Sequence, residues 1–524
     1  MRKGKKGITW LTVIALAASL MAGCGAKEKV PEETQDKSSA GDESTVKEEE
    51  TGGILRMSMS MEPTEFLSTD ISFLDSYILA SFVMERLGRL DKAGQMEPFL
   101  AEEFIENPED MTLTVRLKDG IKYSDGSTLD AENVKWNIEY VQEVKASLGA
   151  IESVEAVDPK TVVITYSEWN SSGVNQIGGL FMMSSQAFEE LGEDGFQKKP
   201  VGTGPFLFDS WDAGEKISLV RQDNYWGEGP YIDGVEFKLI EDAQARLSAF
   251  MAGELDVISP GINEAETLDA AGYPCVSENP VVGGMLRGLI FNTLDEGPLQ
   301  DVKVREAVCH AVNREEVIQA VSGGKYPMAD QFSAKGFWSY NDNLETYQYD
   351  IEKCKELLAE AGYEDGITLP LTYPASDVEL VTIMQGVLEK AGFTIEMNSV
   401  EQSVFDQAVV GGGGWDGIAM WTSGSGQEIN GFNDTFGEHP FFFCSSLEPV
   451  PEIVELINEG KAATSQEDIK VCTDKLQELI CVKHCLVCPV FMPSTFFYTQ
   501  KNISDMNIGI ESVNQLTPQL IKIK

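Results

Sequence analysis

The chain has 524 residues, 24% of them charged, and carries 85 acidic against 40 basic side chains, for a formal net charge of −45 at pH 7. So acidic a surface repels a polyanion, and no basic stripe or interleaved aromatic-basic motif offsets it, which excludes nucleic acid as a partner. The length exceeds one hydrophobic core of usual size, so two or three domains are expected, and 42% apolar residues is ordinary for a globular protein.

In chain order, Arg2, Lys3, Lys5 and Lys6 precede an apolar run from Leu11 to Ala22 and the small pair Ala22-Gly23 before Cys24. The run has 12 residues, against roughly 17 to 25 for a membrane span, so residues 1–23 read as a secretory signal. Leu20-Met21-Ala22-Gly23-Cys24 is similar to a bacterial lipobox, which makes Cys24 the expected lipidation site and the outer face of the cell membrane the expected location. Loss of residues 1–23 with their four positive charges takes the net charge from −45 to −49. Residues 24–51 are rich in Lys, Glu, Asp, Ser and Thr and lack periodic apolar positions, the composition of a tether that cannot offset its ordering entropy.

Beyond the tether, strands and helices alternate. Thr112 to Leu117 has the polar-apolar alternation of a half-buried strand ending at Asp119-Gly120, and Asp130 caps a helix with apolar Val134, Trp136, Ile138 and Val141. Ile151 to Val157 and Thr161 to Tyr166 flank an Asp158-Pro159 turn, and Pro200 to Phe206 is a turn-dense entry to strands at Phe206–Phe208 and Ile217–Val220. Val304, Ala307, Val308, Ala311 and Val312 form one helical stripe. Asp350 caps a second helix over 351–361, stopped by Gly362, and a strand (367–373), a helix (378–390) and a strand (393–397) complete an α/β unit.

Of nine cysteines, Cys354 and Cys472 lie on apolar helical faces and read as small core residues. Cys481, His484, Cys485 and Cys488 have spacings that suit zinc, but their apolar helix-to-strand setting points to buried thiols or one disulfide; no metal or cofactor is expected. No Gly-x-Ser-x-Gly elbow, His-Glu-x-x-His pair or phosphate loop is present, and His310, His439 and His484 have no triad setting, so catalysis is not expected.

The succession of motifs resembles the family-5 extracellular solute-binding proteins, which include oligopeptide-, dipeptide- and nickel-binding receptors of ABC importers. The resemblance is carried in order by Glu85-Arg86-Leu87, Gly94 to Ala101, Leu117 to Val134, Pro200 to Phe206, Asn224-Tyr225-Trp226-Gly227, Gly253 to Val257, Val304 to Val308 and Tyr349 to Leu358. It implies an α/β, periplasmic-binding-protein-like fold (type II, cluster C) with two lobes and an extra β-rich subdomain in the first. The expected bounds are lobe one at 52–290 with its subdomain at about 98–199, lobe two at 291–487, and a return to lobe one over 488–524. Most of these motifs are scaffold, with Gly120, Gly126, Gly202 and Gly204 permitting backbone turns. A monomer is expected, delivering a peptide or other small solute to permease subunits.

In peptide-binding relatives an acidic residue near a Trp-Asp-containing strand pairs with the ligand's ammonium group. The matching stretch here runs from Trp415 to Glu428 and lacks the usual Asp-Pro, leaving Glu428 either as the replacement acid or as a surface loop residue. Trp421, with Thr422, Ser423 and Ser425, is the expected ligand wall, core packing being the other reading of Trp421. Met59, Glu62 and Phe66 face the cleft by analogy, Arg287 is placed to meet an anionic group, and Arg305 reads as a surface or interlobe pair.

Overall fold

A computed structural model describes residues 52–524 except 64–65, 68–73, 146–147, 278–284, 411, 425–428 and 507–516. Cys24, the signal and the tether therefore lie outside the described residues, as do Ser425 and Glu428.

The first half of the chain builds β1 (Ile54–Met59), β2 (Gly88–Leu90), β3 (Met96–Pro98), β4 (Ala101–Asn107), β5 (Thr112–Leu117), β6 (Ile151–Asp158), β7 (Thr161–Tyr166), β8 (Phe206–Asp212), β9 (Lys216–Arg221), β10 (Gly234–Leu239), β11 (Val257–Ile258) and β12 (Cys275–Ser277). The second half adds β13 (Met285–Phe291), β14 (Ile367–Pro374), β15 (Phe393–Val400), β16 (Ile418–Gly424), β17 (Val487–Phe491) and β18 (Phe496–Thr499). They assemble into a seven-stranded sheet ordered β12-β18-β11-β1-β10-β9-β8, a four-stranded subdomain sheet β4-β5-β7-β6, a five-stranded sheet β15-β14-β16-β13-β17 and a two-stranded pair β2-β3. Lobe one holds the seven-stranded sheet and the subdomain, and lobe two the five-stranded sheet.

β13 begins at Met285 and β17 ends at Phe491, both within the lobe-two sheet, whereas β12 and β18 belong to lobe one. The chain thus changes sheet between Ser277 and Met285 and again between Phe491 and Phe496. Every residue of β17 is buried and all but two of β13 are; such runs read alike whichever sheet they join.

Local signals behave as their chemistry requires. Asp130 Oδ1 accepts from Asn133 N at 2.9 Å and Asp350 Oδ1 from Lys353 N at 2.9 Å, so both aspartates cap the helices Ala131–Lys145 and Ile351–Glu360. Val304, Ala307, Val308 and Ala311 on the helix Val302–Ala311 are fully buried, as the stripe demands. Gly120 and Gly126 take φ of 77° and 89°. Gly202 and Gly204 are needed for a different reason from turning: a Cβ on either would lie 2.3 Å or 2.7 Å from the carbonyl oxygen of Val83.

Three motifs separated in sequence meet on one carboxylate. Glu85 is 4% exposed and accepts from Thr203 Oγ1 at 2.9 Å, Tyr225 OH at 2.5 Å and Trp226 Nε1 at 2.8 Å. Burial holds its carboxyl above the ordinary glutamate range, and the three donors oppose that shift. Glu85-Arg86-Leu87, Pro200–Phe206 and Asn224–Gly227 thus act as one scaffold joint inside lobe one.

Candidate functional site between the lobes

In the lobe-one sheet β1, β10 and β11 run parallel, so Met59, Leu239 and Ile258 mark one carboxyl edge. In lobe two β14 runs parallel to β15 and β16, and β13 is antiparallel to β16 with Met285 opposite Gly424 and Arg287 opposite Thr422. Pro374, Val400, Gly424 and Met285 therefore share the corresponding edge. Open α/β sheets place ligands outside the carboxyl ends of their strands, because the loops there leave a crevice with free backbone groups.

A crevice of about 380 Å³ is lined by residues of both lobes. Lobe one supplies Asn263 and Glu266 from the helix Ile262–Ala270, which follows β11; lobe two supplies Gln319, Ser376 and Asp377. Asp377 holds Arg287 through an ion pair between its Oδ2 and Nη2, with 17% and 20% of their side chains exposed. Arg287 thus meets an anionic group belonging to its own lobe, and of the pair Asp377 lines the crevice.

The return crossing is bracketed by rings. Tyr326 stacks on Phe491 at 5.6 Å and 9° and on Phe496 at 6.2 Å and 6°, so the last residue of β17 and the first of β18 lean on one aromatic face. Lys325 pairs with Asp269 across the lobes, and this pair, with Tyr498 OH donating to Asp269 at 2.7 Å, holds the Asp269 carboxyl below its ordinary range.

A second contact closes the lobes farther out. From the subdomain, Trp169 Nε1 donates to Ala463 O at 2.8 Å, Ser171 Oγ to Gly460 O at 2.9 Å and Ser171 N to Lys461 O at 3.3 Å. The acceptors are at the carboxyl end of the helix Pro451–Ala462, where backbone carbonyls lack intrahelical donors. Trp338 N donates to Ala93 O at 2.9 Å beside them. We call this contact the clasp; a chamber of about 230 Å³ with Trp169 and Trp338 in its lining lies behind it.

The residues expected at the ligand wall divide. Thr422 and Ser423 are half-buried near the end of β16, paired with Arg287 and Leu286, and are not among the residues lining the crevice. Trp421 is fully buried, stacked on Phe332 at 5.2 Å and 22° within the lobe-two core, and its indole N–H has no acceptor. Met59 and Phe66, 2% and 0% exposed, lie in the lobe-one core, Phe66 edge-on to Trp211 at 6.0 Å. Their side chains are enclosed by packing instead of facing the cleft, because each follows the inward phase of a strand end or its exit. Glu62 is engaged by Trp211 Nε1 at 2.6 Å and Gly214 N at 3.1 Å, beside a cavity of about 670 Å³ lined by Lys198, Lys199, Phe208 and Trp211. Arg305 is neither surface nor interlobe: it is 6% exposed and spends its guanidinium on Leu299 O, Gln300 O, His484 O and Cys485 O.

The zinc-like quartet separates into two cores. His484 Nε2 contacts Glu452 Oε1 at 2.5 Å, and Cys481 lies against Gln477, while Cys485 and Cys488 pack on the other face of the sheet. Cys354 and Cys472 are buried, at 0% and 7% exposure.

The sequence pattern of the bacterial extracellular solute-binding proteins, family 5 (middle part), matches residues 95–440, more than half of the chain. The chain belongs to this family. Among curated relatives, the glutathione-binding protein GsiB of Escherichia coli K12 is 29% identical over 308 residues, 57% of this chain and 59% of that protein. The chain thus matches under two thirds of the length of such relatives. Among solved structures, the ABC transporter substrate-binding protein CtaP of Listeria monocytogenes superimposes with a TM-score of 0.80 at 21% identity, covering 90% of this chain and 99% of that one. The periplasmic binding protein DppA of Helicobacter pylori, in complex with the peptide STSA, gives 0.70 at 22% identity over 90% and 98%. These likenesses establish the two-lobed, type II binding-protein fold for the family member described here.

Proposed function

We propose that the protein is the lipid-anchored, solute-binding component of an ABC importer, that its solute is a short peptide, and that closure of the lobes over the crevice is the event a permease reads. The carrying observation is one crevice lined from both lobes, with the clasp hydrogen bonds joining the lobes farther out. A ligand that touches both edges favours the shut state by its differential affinity, and one that touches a single lobe does not. Peptide chemistry suits the walls: Glu266 and Asp377 offer acceptors for an ammonium group, and Asn263, Gln319 and Ser376 offer donors for carbonyls or a carboxylate. The peptide bound in the DppA structure and the glutathione in the name of GsiB support the same class of solute. Cys24 is the proposed anchor; Ser425 and Glu428 remain proposed contacts of the loop after β16. The protein acts as a monomer and performs no covalent chemistry.

The test is thermal unfolding of the protein against a pool of short peptides, a pool of saccharides and a set of metal chelates. Binding at about 100 times Kd adds about 2.7 kcal/mol to stability, which raises Tm by several degrees. A rise with peptides alone supports the reading. A rise with saccharides or chelates and none with peptides reassigns the solute, and native mass spectrometry of what co-purifies names it.

A further inference from the structure

The lobe-two core contains a pair of thiols that solute binding does not use. Cys309, on the helix Val302–Ala311, places its Sγ 3.3 Å from Cys485 Sγ, and the two side chains are 1% and 0% exposed. A disulfide has an S–S length of about 2.05 Å, so roughly 1.3 Å of movement separates this contact from a covalent bond. Cys275, Cys354, Cys472 and Cys481 have no such approach to another sulfur among the described residues, whereas Cys488 also reaches Cys309.

Both partners are held. Cys485 takes φ 44°, unusual for a residue with a Cβ, in the turn after the π-helical segment Leu479–Lys483, and Leu486 N closes that turn on Ile480 O at 2.8 Å. Arg305, one helical turn before Cys309 and on the same face, donates from Nε to Cys485 O and His484 O at 3.1 Å each and from Nη2 to His484 O at 2.7 Å. The guanidinium therefore fastens the helix bearing one sulfur to the turn bearing the other. An isolated hydrophobic thiol needs no such fixture.

We propose that Cys309 and Cys485 are joined by a disulfide in the protein folded outside the cytoplasm, the compartment of its family. The two thiols lose two protons and two electrons, and the oxidant is a disulfide, that of a thiol oxidase protein or of a small disulfide, which leaves as two thiols. One cysteine thiolate attacks the oxidant to form a mixed disulfide; the other displaces the oxidant's remaining sulfur and forms the Cys309–Cys485 bond. Because both sulfurs are enclosed in the finished core, the exchange precedes final packing. The bond closes a separation of 176 residues, tying the first helix of lobe two to the entrance of β17.

The experiment takes the full chain from cells that export it, quenched in acid, denatured and alkylated with N-ethylmaleimide without reductant, then mapped by mass spectrometry. The expected result is Cys309 and Cys485 unlabelled and recovered as one cross-linked peptide pair, with Cys488 labelled; reductant releases both for labelling and lowers Tm by several degrees. Cys488→Ala keeps the cross-link, and Cys485→Ala abolishes both the cross-link and the response of Tm to reductant. Labelling of both Cys309 and Cys485 before reduction overturns the proposal, as does a cross-link between Cys309 and Cys488 or one bound zinc per chain. The wild-type map decides the matter even where the Cys485 variant fails to fold.

Discussion

Trp169→Phe removes one donor from the clasp and keeps the ring. The lost bond, Trp169 Nε1 to Ala463 O at 2.8 Å, joins two neutral groups, and a bond of this kind is worth about 0.5 to 1.5 kcal/mol net. That is roughly a twofold to tenfold fall in the ratio of shut to open molecules. Ser171→Ala removes the Oγ bond to Gly460 O at 2.9 Å and is expected to act with similar size, so the double variant falls by about 2 kcal/mol, or some thirtyfold. Neither change touches a lobe core, so unfolding temperature should move little. The assay is interlobe distance, by energy transfer between a dye on the subdomain and one on the helix Pro451–Ala462, without ligand and with whatever ligand the thermal screen identifies. The variants should shift toward the long distance, and apparent affinity should fall by the factor by which shut molecules were lost. An unchanged distance distribution in a folded double variant would refute the view that these bonds bias closure.

Gly94→Ala should open the same interface by a steric route, since at φ 82° its Cβ would sit 1.8 Å from a ring carbon of Phe337; longer interlobe distance at unchanged secondary structure is expected in scattering and circular dichroism. Trp421→Ala should cost about 3 to 5 kcal/mol of stability by leaving a cavity in the lobe-two core, whereas Trp421→Phe, which removes an indole N–H without acceptor, should cost far less; chemical denaturation distinguishes them, and equal losses would contradict the packing described. Glu85, whose burial raises its folded pKa above the ordinary value, binds a proton more readily in the folded state, so its contribution to stability falls as pH rises from the ordinary glutamate range through that raised value. The stability difference between Glu85→Gln and the wild type should therefore grow in favour of the variant over that window, and a difference independent of pH would show that the group does not titrate there.

The residues read correctly in isolation are those whose chemistry is local. Asp130 and Asp350 cap helices because a carboxylate three residues before an amide accepts from it wherever the helix is packed, and the stripe from Val304 to Ala311 is buried because helical spacing alone puts it on one face. The α/β class, the strand and helix succession and the family were legible for that reason. Of the residues proposed for the site, Trp421 packs in the lobe-two core while Thr422 and Ser423, next along β16, are half-buried, and no sequence signal states which strand positions a core encloses.

The order of elements, their caps and the lineage of the chain follow from composition, spacing and motif, all of which act over a few residues. Partners distant in sequence were settled by the tertiary structure alone: Trp169 meets Ala463 of the other lobe across 294 positions, and Cys309 meets Cys485 within lobe two across 176. Such contacts join groups that are ordinary in their own segments, a loop tryptophan or a helical cysteine, and they arise only when segments far apart in the chain are packed together.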